Sequence, residues 1–299
     1  MKKQILRNCV MNLRSISLFF LIILSFLLVS TNIVQASIVS TDDLKPLEHI
    51  IKQADKDTLI IFDIDHVLIM PTNEYTLNRH PFRKALWKEI ESRHSKEEMK
   101  YFYGITASKS RWRMVDPEIF PIFIDITKRQ IPSIALSSIY TGKFGNIEKL
   151  EDWRIQHLKD IGFDFSKLSP IKDTFYIKKL EKHDGVPVLK SGVILTAQVD
   201  KAVVLDCVLN YYNYFPKRII FVDDQLHNLK SIEKMCSKLH IKFYGIHYTA
   251  VSKMPIPVID EKLEKLRFEI LEKEHVWLSY KEIKDIKKQR IIKLVYNQY

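Results

Sequence analysis

The most constraining feature of this chain is a short apolar run that ends on two acidic residues. The run extends from Leu59 to Phe62, and Asp63 and Asp65 follow it with one residue between them. An unbroken run of β-branched, aliphatic and aromatic residues predicts a strand buried on both faces of a sheet. A stable strand has no need for Asp at its end, because a buried carboxylate without a partner is costly. Asp63 could cap a helix or open an Asx turn, but the pair favours a chemical function.

Two later strands end on polar residues in the same way. Residues 131–138 are apolar and end at Ser137 and Ser138, and residues 218–224 end at Asp223 and Asp224. Helical patterns alternate with the strands, which predicts an α/β fold with a doubly wound parallel sheet. Ligands of such sheets bind outside the carboxyl ends of the strands. We therefore expect the polar residues that end these strands to converge on one site.

Four carboxylates would meet at that site. Close carboxylates resist ionising together unless a cation offsets their charge. Hard oxygen ligands beside a phosphate substrate suit Mg²⁺, and a purely structural Ca²⁺ site is the competing interpretation, for which no EF-hand spacing is present. The sequence thus predicts Mg²⁺ as the cofactor, with four candidate ligands: Asp63, Asp65, Asp223 and Asp224.

In chain order these features resemble the four motifs of the haloacid dehalogenase (HAD) superfamily of phosphoryl-transfer enzymes, over residues 55–248. The resemblance implies that Asp63 is the nucleophile and Asp65 the general acid and base. It also implies that Ser137 hydrogen-bonds the transferring phosphoryl group and that Lys201 neutralises charge. Asp223 and Asp224 match the metal-binding fourth motif. Together with the N-terminus described below, the chain is similar to exported HAD-type acid phosphatases and to a secreted bacterial HAD-like family of poorly defined function.

Some of these assignments have rivals. Ser138 is adjacent to Ser137, and the choice between them depends on the strand register. Lys190 is a rival for the role of Lys201, which is followed by Ala where these relatives often have Gly. His66, next to Asp65, could contact the substrate, but it is interpreted as a loop residue. Asn228, one turn into the helix after Asp224, is interpreted as a capping or supporting residue.

The chain divides into three regions by pattern. Residues 1–36 carry a signal, residues 37–250 form the α/β core, and residues 251–299 form a helical extension. Within the core, residues 71–130 read as a helical insert, because ordinary connections in such folds are only a few residues long. Inserts of the HAD superfamily cover the active site, although an oversized crossover without a chemical role is equally consistent with the pattern. Residues 173–198 are β-rich, with a hairpin turn predicted at residues 183–185.

The first 36 residues have the pattern of a secretory signal. Four basic residues precede an apolar run over residues 16–29, and Val-Gln-Ala at residues 34–36 offers a cleavage site. We expect cleavage after Ala36 and a periplasmic or secreted protein. An uncleaved membrane anchor is the alternative, because the run approaches the roughly 20 residues that span a bilayer.

Charge and cysteine content limit the possible partners. Removing the four basic residues of the signal from 47 leaves 43 basic residues against 36 acidic ones. This modest, dispersed surplus gives no reason to expect a nucleic acid partner. We expect a phosphorylated small molecule or phosphoprotein as substrate, and membrane contact only through an uncleaved signal; the oligomeric state stays open. Cys207 and Cys236 lie in apolar helical patterns typical of core residues, although an exported protein could oxidise them.

The sequence therefore predicts an exported, Mg²⁺-dependent phosphomonoester hydrolase that works through an aspartyl-phosphate intermediate. Two alternatives share its fold. One is a secreted binding or effector protein without turnover, and the other is a phosphotransferase that passes the phosphoryl group to another acceptor.

Overall fold

A central parallel sheet organises the described part of the chain, which is residues 37–72 and 79–296 of a computed structural model. The signal predicted for residues 1–36 lies outside this part. The described residues belong to one compact unit that spans residues 36–299. Among them, no helix is long and apolar enough to cross a membrane.

The strands of the described residues form an eight-stranded sheet and a small two-stranded one. In chain order they are β1 (Ser37–Thr41), β2 (Thr58–Phe62), β3 (Ile69–Pro71), β4 (Trp112–Met114), β5 (Ser133–Ser137), β6 (Phe175–Tyr176), β7 (Val188–Lys190), β8 (Val193–Leu195), β9 (Arg218–Asp223) and β10 (Lys242–Tyr248). The large sheet has the order β1-β10-β9-β2-β5-β8-β7-β6, and β3 pairs with β4. In this sheet order, β1, β10, β9, β2, β5 and β8 are each parallel to their neighbours in that series. Strand β7 is antiparallel to both β8 and β6.

Helices cover both faces of this sheet. In chain order the helices are α1 (Lys45–Lys52), α2 (Pro81–Glu91), α3 (Lys96–Lys109), α4 (Ile119–Arg129), α5 (Leu150–Ile161), α6 (Lys201–Tyr211), α7 (Leu226–Lys238), α8 (Ala250–Lys253), α9 (Glu261–Glu274) and α10 (Tyr280–Tyr296). Apolar side chains of α1, α4 and α5 pack on one face, and those of α6 and α7 pack on the other. The doubly wound parallel sheet predicted from the sequence is confirmed.

Strand β2 is at the centre of this arrangement. Ile60 and Phe62 point into the core on one face of the sheet, and Leu59 and Ile61 point into the core on the other. All four side chains are almost fully buried, as expected for a strand between two helical layers. Because β9 and β5 flank β2, the carboxyl ends of the three strands named in the sequence analysis are adjacent.

Residues 71–130, interpreted as one helical insert, divide between two parts of the molecule. Helix α4 packs in the helical layer of the sheet next to α1 and leads into β5, so it belongs to the core crossover. Helices α2 and α3 instead build a separate apolar cluster, and we keep the name insert for the described residues 79–114. The C-terminal helix α9 packs into this same cluster, where Leu86 and Phe102 of the insert join Phe268 and Trp277. The C-terminal segment is therefore joined to the insert through α9 and to the core through Val251 of α8.

The β-rich segment contains the predicted hairpin. Strands β6 and β7 pair antiparallel, and an isolated bridge between Lys182 and Gly185 brackets the turn predicted at residues 183–185. Strand β7 then turns back into β8, which rejoins the parallel sheet beside β5. Three strands were absent from the sequence prediction: β1 and the two short strands β3 and β4. Strand β1 lies at the opposite edge of the sheet and pairs with β10.

Candidate active site

Asp63 continues the central strand by one residue. Its backbone N–H donates to the Val222 carbonyl at 2.8 Å, and its carboxylate accepts a hydrogen bond from the Ile64 N–H at 2.8 Å. The residue is only 7% exposed. Burial raises the pKa of Asp63 well above its usual range; the Lys201 ammonium opposes this shift, and Asp223 and Asp224 add to it. A nearby cation therefore favours the ionised form of this carboxylate.

Lys201 provides one positive charge at this point. It is the first residue of α6, whose N-terminus is capped by the Asp200 carboxylate accepting from the backbone N–H groups of the next turn. Its side chain is 1% exposed, and its Nζ lies 2.8 Å from Asp63 Oδ1 and 2.7 Å from Asp223 Oδ2. Burial alone would lower the pKa of Lys201, but the two carboxylates outweigh it and raise the pKa. Lys201 therefore stays charged and joins the ends of β2 and β9.

Asp223 ends β9 and is fully buried. Its Oδ1 accepts from the Gln225 N–H at 2.7 Å, and the Asn228 side-chain amide donates to both carboxylate oxygens at 3.1 Å. Asn228 thus has the supporting position that the sequence suggested. These contacts, with that of Lys201, fix the orientation of the Asp223 carboxylate.

Asp224 follows directly and faces His66. Their Oδ2 and Nδ1 atoms are 3.3 Å apart, and the Gln225 amide donates to the same oxygen at 2.7 Å. Burial would raise the pKa of Asp224, but the hydrogen bonds from His66 and Gln225 and the charge of Lys201 outweigh it and lower the pKa. His66 has a left-handed backbone with φ 69°, a conformation that costs a non-glycine residue about 1 kcal/mol or more. This strained turn places its imidazole beside the carboxylate.

Three carboxylates form a group that could hold a metal ion. One oxygen from each of Asp63, Asp223 and Asp224 lies within 4.8 Å of the others. If all three were ionised, three negative charges would face the one positive charge of Lys201. Carboxylates at this spacing are suited to a hard divalent cation such as Mg²⁺. Asp65 is not a member of this group, and its assignment as a metal ligand gains no support from the geometry.

Asp65 faces another partner, which the sequence analysis missed. Its Oδ1 is 3.2 Å from Nη2 of Arg154, a buried residue on α5. The Arg154 guanidinium lies 4.8 Å from the ring centre of Trp112 and 5.1 Å from that of Trp153. Helical spacing contained a signal for it: Arg154 is four residues from both Leu150 and Leu158, which are buried on the same face of α5. An arginine in an apolar stripe is rarely buried without a partner.

Ser137 and Ser138 differ in their position on β5. Ser137 is the last residue of the strand and is 2% exposed, whereas Ser138 is half-buried and begins the following loop. The Ser137 hydroxyl accepts from the Ile139 N–H at 3.4 Å. Its strand neighbours β2, so Ser137 lies at the same edge of the sheet as Asp63.

The two candidate lysines are clearly separated. Lys190 ends β7 and pairs with Asp152, so it has no part in the carboxylate group. Lys201 contacts two members of that group. The structure therefore brings together Asp63, Lys201, Asp223 and Asp224. Ser137 lies at the same edge of the sheet, and Asp65 pairs with Arg154.

Two solved structures are similar to this chain at low sequence identity. A HAD-family enzyme from Bacteroides thetaiotaomicron, solved as a magnesium complex, is 13% identical with a TM-score of 0.35, covering 63% of this chain and 92% of its own. A haloacid dehalogenase-like hydrolase from Streptococcus pneumoniae is 10% identical with a TM-score of 0.33, covering 63% of this chain and 93% of its own.

Sequence relatives cover more of the chain. An uncharacterised protein of Rickettsia prowazekii is 26% identical over 238 residues, 74% of this chain and 79% of the relative. Another from Rickettsia typhi is 27% identical over 239 residues, 74% of this chain and 80% of the relative. The family model described as "Protein of unknown function (DUF2608)" matches residues 40–284, and the chain belongs to this family.

Proposed function

We propose that this protein is a Mg²⁺-dependent phosphomonoester hydrolase that works through an aspartyl-phosphate on Asp63. The observation that carries the proposal is the buried Lys201, whose ammonium joins the carboxylates of Asp63 and Asp223 at the carboxyl edge of the sheet. A phosphate monoester brings further negative charge to such a site. Catalysis of phosphoryl transfer depends mainly on positioning and on offsetting this charge.

In the first half of the reaction, a carboxylate oxygen of Asp63 attacks phosphorus while the bond to the leaving oxygen breaks. Asp65 gives its proton to that oxygen, and the alcohol departs. Lys201 and the Ser137 hydroxyl stabilise charge on the phosphoryl oxygens. Asp63, Asp223 and Asp224 would hold Mg²⁺, which when bound offsets the charge of the carboxylates and of the phosphoryl group.

In the second half, Asp65 takes a proton from water, and the hydroxide attacks phosphorus of the aspartyl-phosphate. The bond between phosphorus and the Asp63 oxygen breaks, which releases phosphate and restores both carboxyl groups to their starting states. The same residue thus acts first as acid and then as base. A phosphorylated small molecule or phosphoprotein is the proposed substrate, and export follows from residues 1–36 as a separate prediction.

The test is an assay of residues 37–299 against phosphorylated metabolites and phosphopeptides, with Mg²⁺ and with EDTA. Asp63→Asn should abolish turnover of every substrate, because it removes the nucleophile. Asp223→Asn or Asp224→Asn should raise the Mg²⁺ concentration needed for half-maximal rate. Asp57→Asn is the matched control, since this exposed carboxylate pairs with Lys217 near the start of β2, away from the site.

Asp65→Asn should lower the rate on alkyl phosphates by roughly 10²–10⁴-fold, the usual contribution of a general acid. An aryl phosphate such as p-nitrophenyl phosphate leaves without much protonation, so its transfer to Asp63 should be affected less. Rapid-quench capture of hydroxylamine-labile phosphate on the protein measures this step. Turnover that persists in Asp63→Asn, or that is indifferent to EDTA, would contradict the proposal, and inactivity of the wild type across the panel would favour a binding protein.

A further inference from the structure

We propose that Arg154 is a positioning residue that holds the Asp65 carboxylate in place for proton transfer to the leaving group. The inference rests on the proposed function, because it assigns a support to the general acid of that reaction. It concerns a residue on α5, outside the motifs that identify the site.

The contact between the two side chains is specific. Nη2 of Arg154 lies 3.2 Å from Oδ1 of Asp65, and the two side chains are 6% and 25% exposed. Among the described residues, Arg154 is the one ion-pair partner of Asp65. One carboxylate oxygen is therefore held by a buried cation, and the other can face a substrate.

The guanidinium itself is held by aromatic rings. Its carbon lies 4.8 Å from the ring centre of Trp112 and 5.1 Å from that of Trp153, and both rings also contact His157. The Trp112 indole is fixed in turn by donation to the Ala107 carbonyl at 3.2 Å. A planar cation beside two indoles has little freedom to rotate, so its bond to Asp65 keeps one direction.

The remaining nitrogens of Arg154 argue against a role in packing alone. Nε and Nη1 are buried and have no hydrogen-bond partner within the described residues. Buried polar groups in folded proteins are nearly always satisfied, and an exception calls for an explanation. His157 adds no competing charge, because burial lowers its pKa to about 4. The ion pair between Nη2 of Arg154 and Asp65 explains why a charged side chain is buried here although its other two nitrogens lack partners.

The rings also connect the insert to the general acid. Trp112 is the first residue of β4, in the insert, whereas Trp153 and Arg154 belong to α5 of the core. The position of Asp65 therefore depends on contact between the insert and α5. Loss of that contact should impair proton donation without removing the nucleophile, Lys201 or the carboxylates of β9.

The experiment compares Arg154→Lys with the wild type on p-nitrophenyl phosphate and on an alkyl phosphate, both with Mg²⁺. Lysine keeps the charge but lacks the planar group that two indoles can orient. We expect the alkyl phosphate rate to fall by about 10–100-fold, part of the general-acid contribution. The formation of phospho-enzyme from the aryl substrate should stay within about threefold of the wild type, since it needs little protonation.

Two further variants keep the result interpretable. Trp112→Leu removes one ring and should shift the ratio of phospho-enzyme formation from the alkyl and aryl substrates in the same direction, even if Arg154→Lys does not fold. Arg129→Lys is the matched control: Arg129 binds Asp125 and the Ile51 carbonyl, far from the motifs in the fold, and should leave that ratio unchanged.

A double-variant cycle isolates the connection to Asp65. If Arg154 acts through Asp65, adding Arg154→Lys to Asp65→Asn should cost no further activity, because the supported group is already lost. Additive losses, or equal losses of phospho-enzyme formation from both substrates in Arg154→Lys, overturn the positioning role while leaving the phosphatase intact. A wild type inactive on all phosphates overturns the proposed function instead, and the inference with it.

Discussion

Lys201→Met tests whether the site is held together by its single buried ammonium. The side chain is 1% exposed and forms ion pairs of 2.8 Å and 2.7 Å with Asp63 and Asp223. Removing one partner of a buried ion pair typically costs about 3–5 kcal/mol, because the remaining charge is left uncompensated. For a domain of this size, at about 2–4 °C per kcal/mol, the melting temperature should fall by about 6–20 °C.

The loss should depend on pH in a defined direction. The pKa of Asp63 is already raised by burial, and Lys201 is the group that opposes the rise. Without Lys201 the pKa rises further, and Asp63 can take up a proton and become neutral. A carboxyl group with a raised folded-state pKa contributes stability at low pH that is lost as pH rises through that value. The deficit of Lys201→Met should therefore be smaller at pH 5.5 than at pH 8, and Mg²⁺ should reduce it at pH 8.

The measurement is urea unfolding of residues 37–299 in EDTA at both pH values, repeated with Mg²⁺. Lys190→Met is the matched control. Its ammonium is only partly buried beside Asp152, so its removal should cost no more than about 1 kcal/mol. If Lys201→Met is within about 1 kcal/mol of the wild type in EDTA at pH 8, the charge balance described for the site is wrong.

Two predictions concern other titratable groups. Burial lowers the pKa of His157 to about 4, so protonation below pH 6.5 should destabilise the fold. From pH 6.5 to pH 4 the free energy of unfolding should fall by about 1–2 kcal/mol less in His157→Phe than in the wild type, after allowance for the partial exposure of His157. Equal falls in urea titrations would refute this. Cys236 is buried and Cys207 is half-buried, and burial raises the pKa of the Cys236 thiol to about 12. In native protein a chromogenic disulfide reagent should therefore modify Cys207 first, and Cys236 only upon unfolding; equal rates would contradict this burial.

The core of the fold was predictable from three apolar strands and their polar ends. Strand β2, for example, is buried on both faces, and an unbroken apolar run is the pattern that such burial requires. The convergence of Asp63, Ser137 and Asp223 followed from topology, because parallel strands have their carboxyl ends at one edge. Neither conclusion needed side-chain detail.

Other features depended on contacts that a sequence pattern does not specify. Strand β1 contains Ser and Thr with few apolar residues, as edge strands often do, and it was not recognised. The predicted insert of residues 71–130 included α4, because the sequence pattern shows α4 only as a further helix after α2 and α3. The amphipathic helix α9 had a visible apolar face, but its packing partner is in the insert, far away in sequence.

The two carboxylates of the first motif are another case in which the sequence pattern did not predict the contacts. Asp63 and Asp65 differ by two positions, and spacing alone grouped both with the metal ligands. The turn through His66 directs the second carboxylate to Arg154, which lies about ninety residues later in the chain. Only the tertiary structure separates their surroundings.

The pairing of β1 with β10 has a consequence for the order of folding. Ser40 Oγ lies 2.9 Å from His247 Nδ1, across 207 positions of sequence, and His247 Nε2 lies 3.1 Å from the Asp224 carbonyl. Strand β1 is synthesised early, but it can pair only after β10, the last strand of the sheet, has been made. Closing the long loop between the two strands costs conformational entropy. Until β1 docks, the edge of β10 is open and available to other chains. The step that protects the sheet from intermolecular pairing thus also completes the chain of contacts from Ser40 through His247 to the Asp224 carbonyl.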